Sequence, residues 1–378
     1  MTNAVREYLS FDLGTSESRV LYRTKDNGNE EVRVAKILTL AGRPTDYQAL
    51  DALKELGAVK KDARLEDAVL VGDEVNEYRD LLTVTRPLER GQIAGYEQST
   101  SDEFQRNLAD VRKIVNKLAR KVSAKPSESL VGAISAPVVA ASESKKELRD
   151  LLKTYAVTGN AMIVSQAYTA PWGAIEAGKV SMKDARHSLW DDIGAGSHDA
   201  GYFDGTRPMD GLTASSPLAG DSVDHALAKQ LAKRYGKEFP NLWVRDVKEK
   251  YGLVEQNGLG PQIVALNIHG SSKSEDITDL LIESGRPQVT VVSDVVLKVL
   301  GNVNPEYQKE TMGKVYLVGR GSRVRGLAQG VEKELNSRSL KDSEVKAHVT
   351  ALDDDGTWTL KGTDRLLRNT PAEKLALI

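Results

Sequence analysis

Over residues 6–36 apolar residues gather in three short runs separated by polar turns. REYLSFDLG, SRVLYRT and EEVRVAKIL read there as consecutive strands of a β-meander. The spacer KDNGNE between the last two carries Asn27-Gly28, a hairpin signal, because such a turn needs residues that accept positive φ. Residues 45–67 read as a polar helix and AVLVGDEV (68–75) as a short strand. The spacing then becomes helical. In SDEFQRNLADVRKIVNKLARKVS, Phe104, Leu108, Val111, Ile114, Val115 and Leu118 fall on one face, and Ser101 or Asp102 is placed to cap the first turn. SLVGAISAP predicts a buried strand, SESKKELRDLLKTYAV the helix after it, and AMIVSQA a strand running into another helix. Residues 125–178 therefore alternate as in an α/β domain. After residue 189 the cycle restarts with a strand hairpin. Helices are predicted over 220–236 and 243–253, and two more within 274–302. KVYLVGRGSRVRGLAQGVEKEL reads as strand, glycine turn and helix, and KAHVTAL, TWTLKG and a last helix close the chain.

With 378 residues the chain is long enough for two domains of ordinary size, and no Gly/Ser- or Pro-rich linker separates them. Its 40% apolar and 28% charged residues suit packed cores under a soluble surface. A formal charge of −2 gives no bulk attraction to nucleic acid or anionic lipid. The chain has no cysteine, which excludes disulfides and thiolate metal sites and suits a reducing cytoplasm. The start MTNAVREYLSFDLG lacks an apolar signal region, and no run approaches the ~20 apolar residues of a membrane span. The final TPAEKLALI is too short and weakly apolar to anchor alone. The expectation is a cytoplasmic protein with no membrane span and no direct nucleic-acid contact.

Two stretches stand out chemically. FDLGTSESRVLY places Asp12, Gly14, Thr15 and Ser16 between two apolar strands, and LWDDIGAGSHDAGYF places Asp192, Gly194, Ala195 and Gly196 the same way. In such a hairpin turn, glycine lets backbone N–H groups approach and point at an anion. The hydroxyls of Thr15 and Ser16 add donors. The acid repels phosphate but can hold the water shell of a Mg²⁺ that binds it. Two facing copies would clamp one polyphosphate from both sides. One DxGxS alone is most often an ordinary hairpin. Two copies at domain spacing, with a third glycine turn at VGRGSRVRGL, carry more weight.

These motifs resemble the actin, sugar kinase and heat-shock ATPase superfamily: FDLGTS its first phosphate loop, DDIGAGSHD its second, LVGRGSRVRGL its adenosine loop. Within it the chain resembles the actins. VRDVKEK is similar to the eukaryotic actin segment whose lysine and glutamate flank adenine and ribose, here Lys248 and Glu249. TRPLERGQI, AVLVGDEV and EYQKETMGKVYLVGRGSRVRGLAQGVEKEL resemble prokaryotic actins of the MreB and MamK kinds. The resemblance spans the chain in order, patchily over 23–67 and 254–285. It implies an α/β, actin-like ATPase fold: two similar α/β domains, each with a smaller inserted subdomain, around a nucleotide cleft. Residues 1–34, 92–188 and 350–378 would form one core with 35–91 inserted, and 189–213 with 286–349 the other with 214–285 inserted. It also implies ATP or ADP with Mg²⁺ as cofactors, with Asp12 and Asp192 acting on the metal through water. Gln166 would orient the attacking water and Asp192 would help order it. Gly319, Arg320, Gly321 and Ser322 would back the adenosine. A neutral amide is a poor base, so hydrolysis should be slow unless polymerisation improves the geometry, which would couple the ATPase to filament assembly. The partner implied is a second copy in a homopolymeric cytoskeletal filament, with cargo or an adaptor protein beyond it.

Some positions depart from the family pattern. Arg320 replaces the middle glycine of the usual turn and would crowd or contact the adenosine phosphates. Arg19 sits where eukaryotic actin has a phosphate-contacting lysine, and a solvent-facing strand residue is as good a reading. Trp190 and His198 are unusual beside the second turn, and His198 reads as a partly exposed hairpin residue without a catalytic role. GAIEAGKV (173–180) imitates a P-loop but ends in Val180 and follows a helical stretch, so Gly178 reads as a helix C-cap. His187, His198, His225, His269 and His348 show no ligand spacing. Three function classes fit such a core. A chaperone ATPase needs a peptide-binding domain for which the length leaves no room. A small-molecule kinase needs a substrate-activating acid where Gln166 stands. A filament-forming ATPase is favoured, with the kinase as runner-up.

Overall fold

The predicted meander forms. In the computed structural model Arg6–Leu13, Glu17–Asp26 and Asn29–Leu38 pair antiparallel in sequence order. The structure describes residues 6–370, apart from 27–28, 138–139, 157–158, 206–210, 257, 269–270 and 340–345. The Asn27-Gly28 turn, His269 and all but the first residue of TPAEKLALI lie outside the described residues. The chain divides into two units: residues up to Glu176 together with Thr359 onward, and Ala177–Trp358.

In the first unit, Leu130–Ala136 joins the open side of the first strand in parallel, and Ala161–Ser165 joins it in turn, giving a five-stranded sheet. Both faces of the first strand are covered, and the strand period decides what meets what. Leu9, Phe11 and Leu13 pack with Phe104, Leu108, Val111, Ile114 and Val115 of helix Asp102–Lys121. That helix starts where Ser101 accepts a hydrogen bond from the Phe104 amide at 3.1 Å. On the other face Tyr8 packs with Met162, Val164 and Leu367. Each fully buried side chain of this kind is worth roughly 1.5–3 kcal/mol.

The second unit repeats the topology. Ser188–Ile193, His198–Phe203 and Thr213–Ser216 form an antiparallel meander, and Val315–Val318 and Val349–Ala351 extend it in parallel beyond the first of these strands. Leu189 and Ile193 face helix Pro287–Leu300 through Val292 and Val296, while Trp190 packs against Tyr316 on the opposite face. Asp12 and Asp192 thus occupy equivalent places near the end of equivalent strands.

Each unit carries a smaller addition with its own core. In the first, Leu70–Val71, Ala41–Pro44 and Leu82–Thr85 form a sheet around Leu40, Leu53, Leu70, Val75 and Leu82. Arg43 bonds the buried Asp110 of the long helix at 2.9 Å. In the second, helices Gly220–Tyr235, Asn241–Tyr251 and Thr278–Gly285 enclose a hairpin, Ile263–Ile268 with Ser271–Asp276.

The two helices expected within 274–302 form, as Thr278–Gly285 and Pro287–Leu300, and the hairpin before them is an addition to the sequence reading. Val264, Leu266 and Ile268 are buried, while Ile263, Ala265 and Asn267 are exposed, a period of two. The expected helix over 45–67 stops at Glu55, before Gly57 at φ 72, because 58–67 has too few apolar positions to bury a further turn. Only Leu70 and Val71 of AVLVGDEV are strand. WTLKG belongs to the last helix, Trp358–Asn369.

That last helix approaches helix Gln166–Glu176 so closely that a Cβ on Gly362 would lie 1.8 Å from the Thr169 carbonyl oxygen. Arg23 holds the same helix by a forked bond to the buried Asp364 at 2.8 and 3.0 Å. Gly362→Ala must therefore push backbone from backbone. It is expected to destabilise the protein by about 1–3 kcal/mol, read as a fall in the thermal midpoint of the far-ultraviolet circular dichroism melt. An unchanged midpoint would contradict this contact.

Candidate functional site

The first turn joins Leu13 to Glu17, and its backbone is held from behind. A Cβ on Gly14 would meet the Glu17 carbonyl oxygen at 2.7 Å, so the turn needs glycine there. Thr39, fully buried, donates its hydroxyl to the Gly14 carbonyl at 2.7 Å, shares a bond with Ser18 at 2.8 Å, and donates its amide to Ser16 at 3.0 Å. In a trans peptide the C=O and the next N–H point in opposite directions. Fixing the Gly14 carbonyl toward Thr39 therefore aims the Thr15 amide the other way. The Thr15 hydroxyl accepts from the Gly91 amide at 3.1 Å. Arg90 and Gly91, at φ 52 and 67, form the left-handed step that presents this amide.

Asp12 is the next-to-last residue of the first strand, on the face shared with Tyr8 and Ser10. It accepts from Ser135 at 3.2 Å and from the Gln166 side-chain amide at 3.4 Å, and pairs with Arg19 at 3.1 Å. Arg19 is its cross-strand partner and also bonds Glu17 at 2.9 Å. Burial would lower the Arg19 pKa, but the two carboxylates outweigh it and raise it, so the guanidinium stays charged. The structure thus brings Asp12 and Gln166 together. It also corrects the solvent-facing reading of Arg19, which lies between two carboxylates with little exposure.

The second turn, after Ile193, closes with the Gly194 amide on the Ser197 carbonyl at 2.9 Å. Behind it stands the N-terminus of helix Gly220–Tyr235. The Gly220 amide donates to the Gly194 carbonyl at 3.2 Å, and the Asp221 amide to the Ala195 carbonyl at 2.7 Å. Two consecutive carbonyls thus face the helix, so the amides of Ala195 and Gly196 face away from it, side by side. Such a pair of parallel amides is an anion-binding concavity.

The third glycine turn lies directly on the second. A Cβ on Gly319 would fall 2.4 Å from Asp192 Oδ1 and 2.7 Å from the Ile193 carbonyl oxygen; one on Gly321 would fall 2.2 Å from Ile193 Cγ2. Gly319 also has φ 75, disfavoured for any residue with a Cβ. Ser322 donates its hydroxyl to the Gly319 carbonyl at 2.8 Å, closing the turn on itself. Asp354, buried, accepts from the amides of Gly319, Gly356 and Trp358 at 3.2, 2.8 and 3.4 Å. Burial pushes its carboxyl pKa up, against the lowering effect of those donors.

Lys248 reaches the same region. Its ammonium bonds Asp224 at 2.8 Å and the Gly220 carbonyl at 2.9 Å, and would lie 3.2 Å from a Cβ on Gly220. Burial raises the Asp224 pKa, with Lys248 opposing it. Glu249, next along the helix, is exposed. His198 corrects its sequence reading: it is fully buried, because strand alternation puts it with Ile193 on the face covered by helix Pro287–Leu300. Burial would lower its pKa; Asp191, at 3.5 Å, raises it, and the net shift is upward. Trp190 is likewise core, donating its indole N–H to Ser188 at 2.7 Å. In the P-loop look-alike, residues 173–176 are helical and Gly178, at φ 67, follows the helix end.

The sequence reading missed Thr39, Gly91, Asp221 and Asp354. Each acts through a contact across 25 or more positions, and only Gly91, in TRPLERGQI, stands in a stretch the sequence had singled out. Among the described residues no group of three or more His, Asp or Glu could hold a metal ion. No helix there is long and apolar enough to cross a membrane.

No protein-family model matches the chain. It is 24% identical to the actin-like protein MamK of Paramagnetospirillum magneticum over 371 residues, covering 97% of this chain and 94% of that protein. It is 24% identical to MamK of Magnetospirillum gryphiswaldense over 374 residues, covering 97% and 91%. Among solved structures, a MamK double helical filament superposes with TM-score 0.77 at 24% identity, covering 97% of this chain and all of that one. A non-polymerising MamK mutant bound to AMPPNP gives TM-score 0.62 over 96% of this chain. The glycine turns, the repeated meander and these superpositions agree: the chain has the actin-like fold of the MamK proteins.

Proposed function

We propose that the protein binds ATP with Mg²⁺, assembles with copies of itself into filaments, and hydrolyses the ATP to ADP and phosphate. One observation carries the reading: the same meander in each unit ends its first strand in an acid-and-glycine turn, and in the second the Ala195 and Gly196 amides are turned outward together. The filament form and the AMPPNP complex of similar MamK structures support it.

In this reading the Thr15, Ala195 and Gly196 amides, with the Gly14, Thr15, Ser16 and Gly194 turns around them, hold phosphate oxygens. Gly319, Arg320, Gly321 and Ser322 back the adenosine, and Lys248 and Glu249 bracket base and ribose. Asp12 already carries Arg19, Ser135 and Gln166, which suits a carboxylate that holds a metal's water rather than the metal. Asp192, against Gly319, would do the same. Bound Mg²⁺ supplies charge neutralisation at the phosphates. Gln166 stands by Asp12 with an amide that can orient water and cannot deprotonate it, so turnover is slow. The cytoplasm is the proposed location, and cargo or an adaptor protein the proposed further partner.

The test is sedimentation, light scattering and electron microscopy of purified protein with ATP and Mg²⁺, with phosphate release followed in parallel. Filaments and released phosphate are expected. Phosphate transfer to added sugars or acids without sedimentable polymer would favour a small-molecule kinase instead. Asp12→Ala should weaken nucleotide binding specifically when Mg²⁺ is present, measured by titration of a fluorescent ATP analogue with and without the metal. Equal losses under both conditions would remove Asp12 from the metal's surroundings. Gln166→Ala should keep ATP affinity and filament formation while phosphate release falls by about a hundredfold; release at the wild-type rate would take Gln166 out of the reaction.

A further inference from the structure

Gln288 lies on the second residue of helix Pro287–Leu300, buried, far in sequence from every glycine turn. Its side chain joins three pieces of the second unit. The Nε2 group donates to the Leu218 carbonyl at 3.1 Å and to Ser222 Oγ at 3.2 Å. A carbonyl can only accept, so the nitrogen is the donor and Oε1 is left to accept. Oε1 stands 2.7 Å from His198 Nε2, which must therefore carry a proton.

Each piece it joins touches the second turn. His198 is the first strand residue after that turn, paired across the ladder with Ile193, the last before it. Leu218 leads into helix Gly220–Tyr235, and Ser222 lies in its first turn, donating to the Ala219 carbonyl. The same first turn supplies the Gly220 and Asp221 amides that hold the Gly194 and Ala195 carbonyls. The helix start can orient those carbonyls only while it stays at the right height relative to the strands. Gln288 is the side chain that pins one to the other. Its three bonds are made in a buried place, where an unmade bond costs more than a surface one.

We propose that Gln288 is a positioning residue for the phosphate: acting through the helix start at Gly220, it fixes the direction of the Ala195 and Gly196 amides. The proposal rests on the nucleotide reading above and adds a residue to it that makes no contact with nucleotide. It predicts a loss confined to the phosphate part of the ligand. Adenosine would be held by Gly319, Gly321 and their neighbours, which are braced separately through Asp354.

The experiment compares ATP and adenosine, each by competition against a fluorescent ATP analogue, on the wild-type chain, Gln288→Leu and Ser222→Ala. Losing the three bonds of Gln288, at the low end of what a net hydrogen bond contributes, corresponds to about tenfold in affinity, and losing the one from Gln288 to Ser222 to about threefold. ATP affinity is therefore expected to fall about tenfold in the first variant and about threefold in the second, with adenosine affinity unchanged in both. Ser222 is only half-buried, so that variant decides the matter if Gln288→Leu does not fold. Wild-type ATP affinity in the variants, or equal losses for ATP and adenosine, overturns the brace while leaving the nucleotide reading in place. A wild-type chain that binds no ATP overturns the nucleotide reading, and the brace falls with it.

Discussion

A turn that offers backbone amides to an anion must point its carbonyls the other way, because the trans peptide sets the two in opposition. Those carbonyls then face the protein interior, where each needs a donor. The architecture around both acid-and-glycine turns follows from that requirement. Behind the first, a single buried hydroxyl, Thr39, takes the Gly14 carbonyl. Behind the second, the first amides of a helix take the Gly194 and Ala195 carbonyls, which uses donors the helix could not satisfy internally. The two turns meet one constraint with different chemistry.

Close packing of backbone on backbone is the second theme. Gly319 and Gly321 rest on Ile193 and Asp192 with no room for a Cβ, and Gly362 rests on Thr169. These glycines let one element lie against the next at a distance no other residue permits. They tie the third glycine turn to the second, and the last helix to the helix that begins with Gln166. Asp354 complements this in the second unit by gathering three amides around one carboxylate.

Buried charge is managed locally in both units. Asp12 is matched by Arg19, Asp110 by Arg43, Asp364 by Arg23, and Asp224 by Lys248. A buried carboxylate left alone would be costly, and each of these is answered by a cation from another element, which makes the pairs devices of alignment as much as of stability. Asp191 and His198 are the most deeply buried case, sealed beneath helix Pro287–Leu300.

Much of this was readable from residues alone. The strand-like runs over 6–36 and the restart after 189 specify two meanders, because short apolar runs and the turn residues between them are written in neighbouring positions. The pairing of an acid with glycine at each turn was legible for the same local reason, and so was the long helix from 102, whose apolar stripe and Ser101 cap are written in neighbouring positions. The hairpin 263–276 escaped because its core, against three helices, is assembled from afar. His198 was misjudged because its burial depends on a helix that begins 89 residues later. Thr39, Asp354 and Gln288 carry no local signature: a hydroxyl, a carboxylate and an amide acquire their roles only when folding brings a distant backbone group within 3 Å or so. The sequence by itself determined the two meanders, the long helix from 102 and the glycine turns, since those obey short-range patterns and backbone sterics. Only the tertiary structure decided which way the turns' amides point, because that depends on donors supplied from segments remote in the chain.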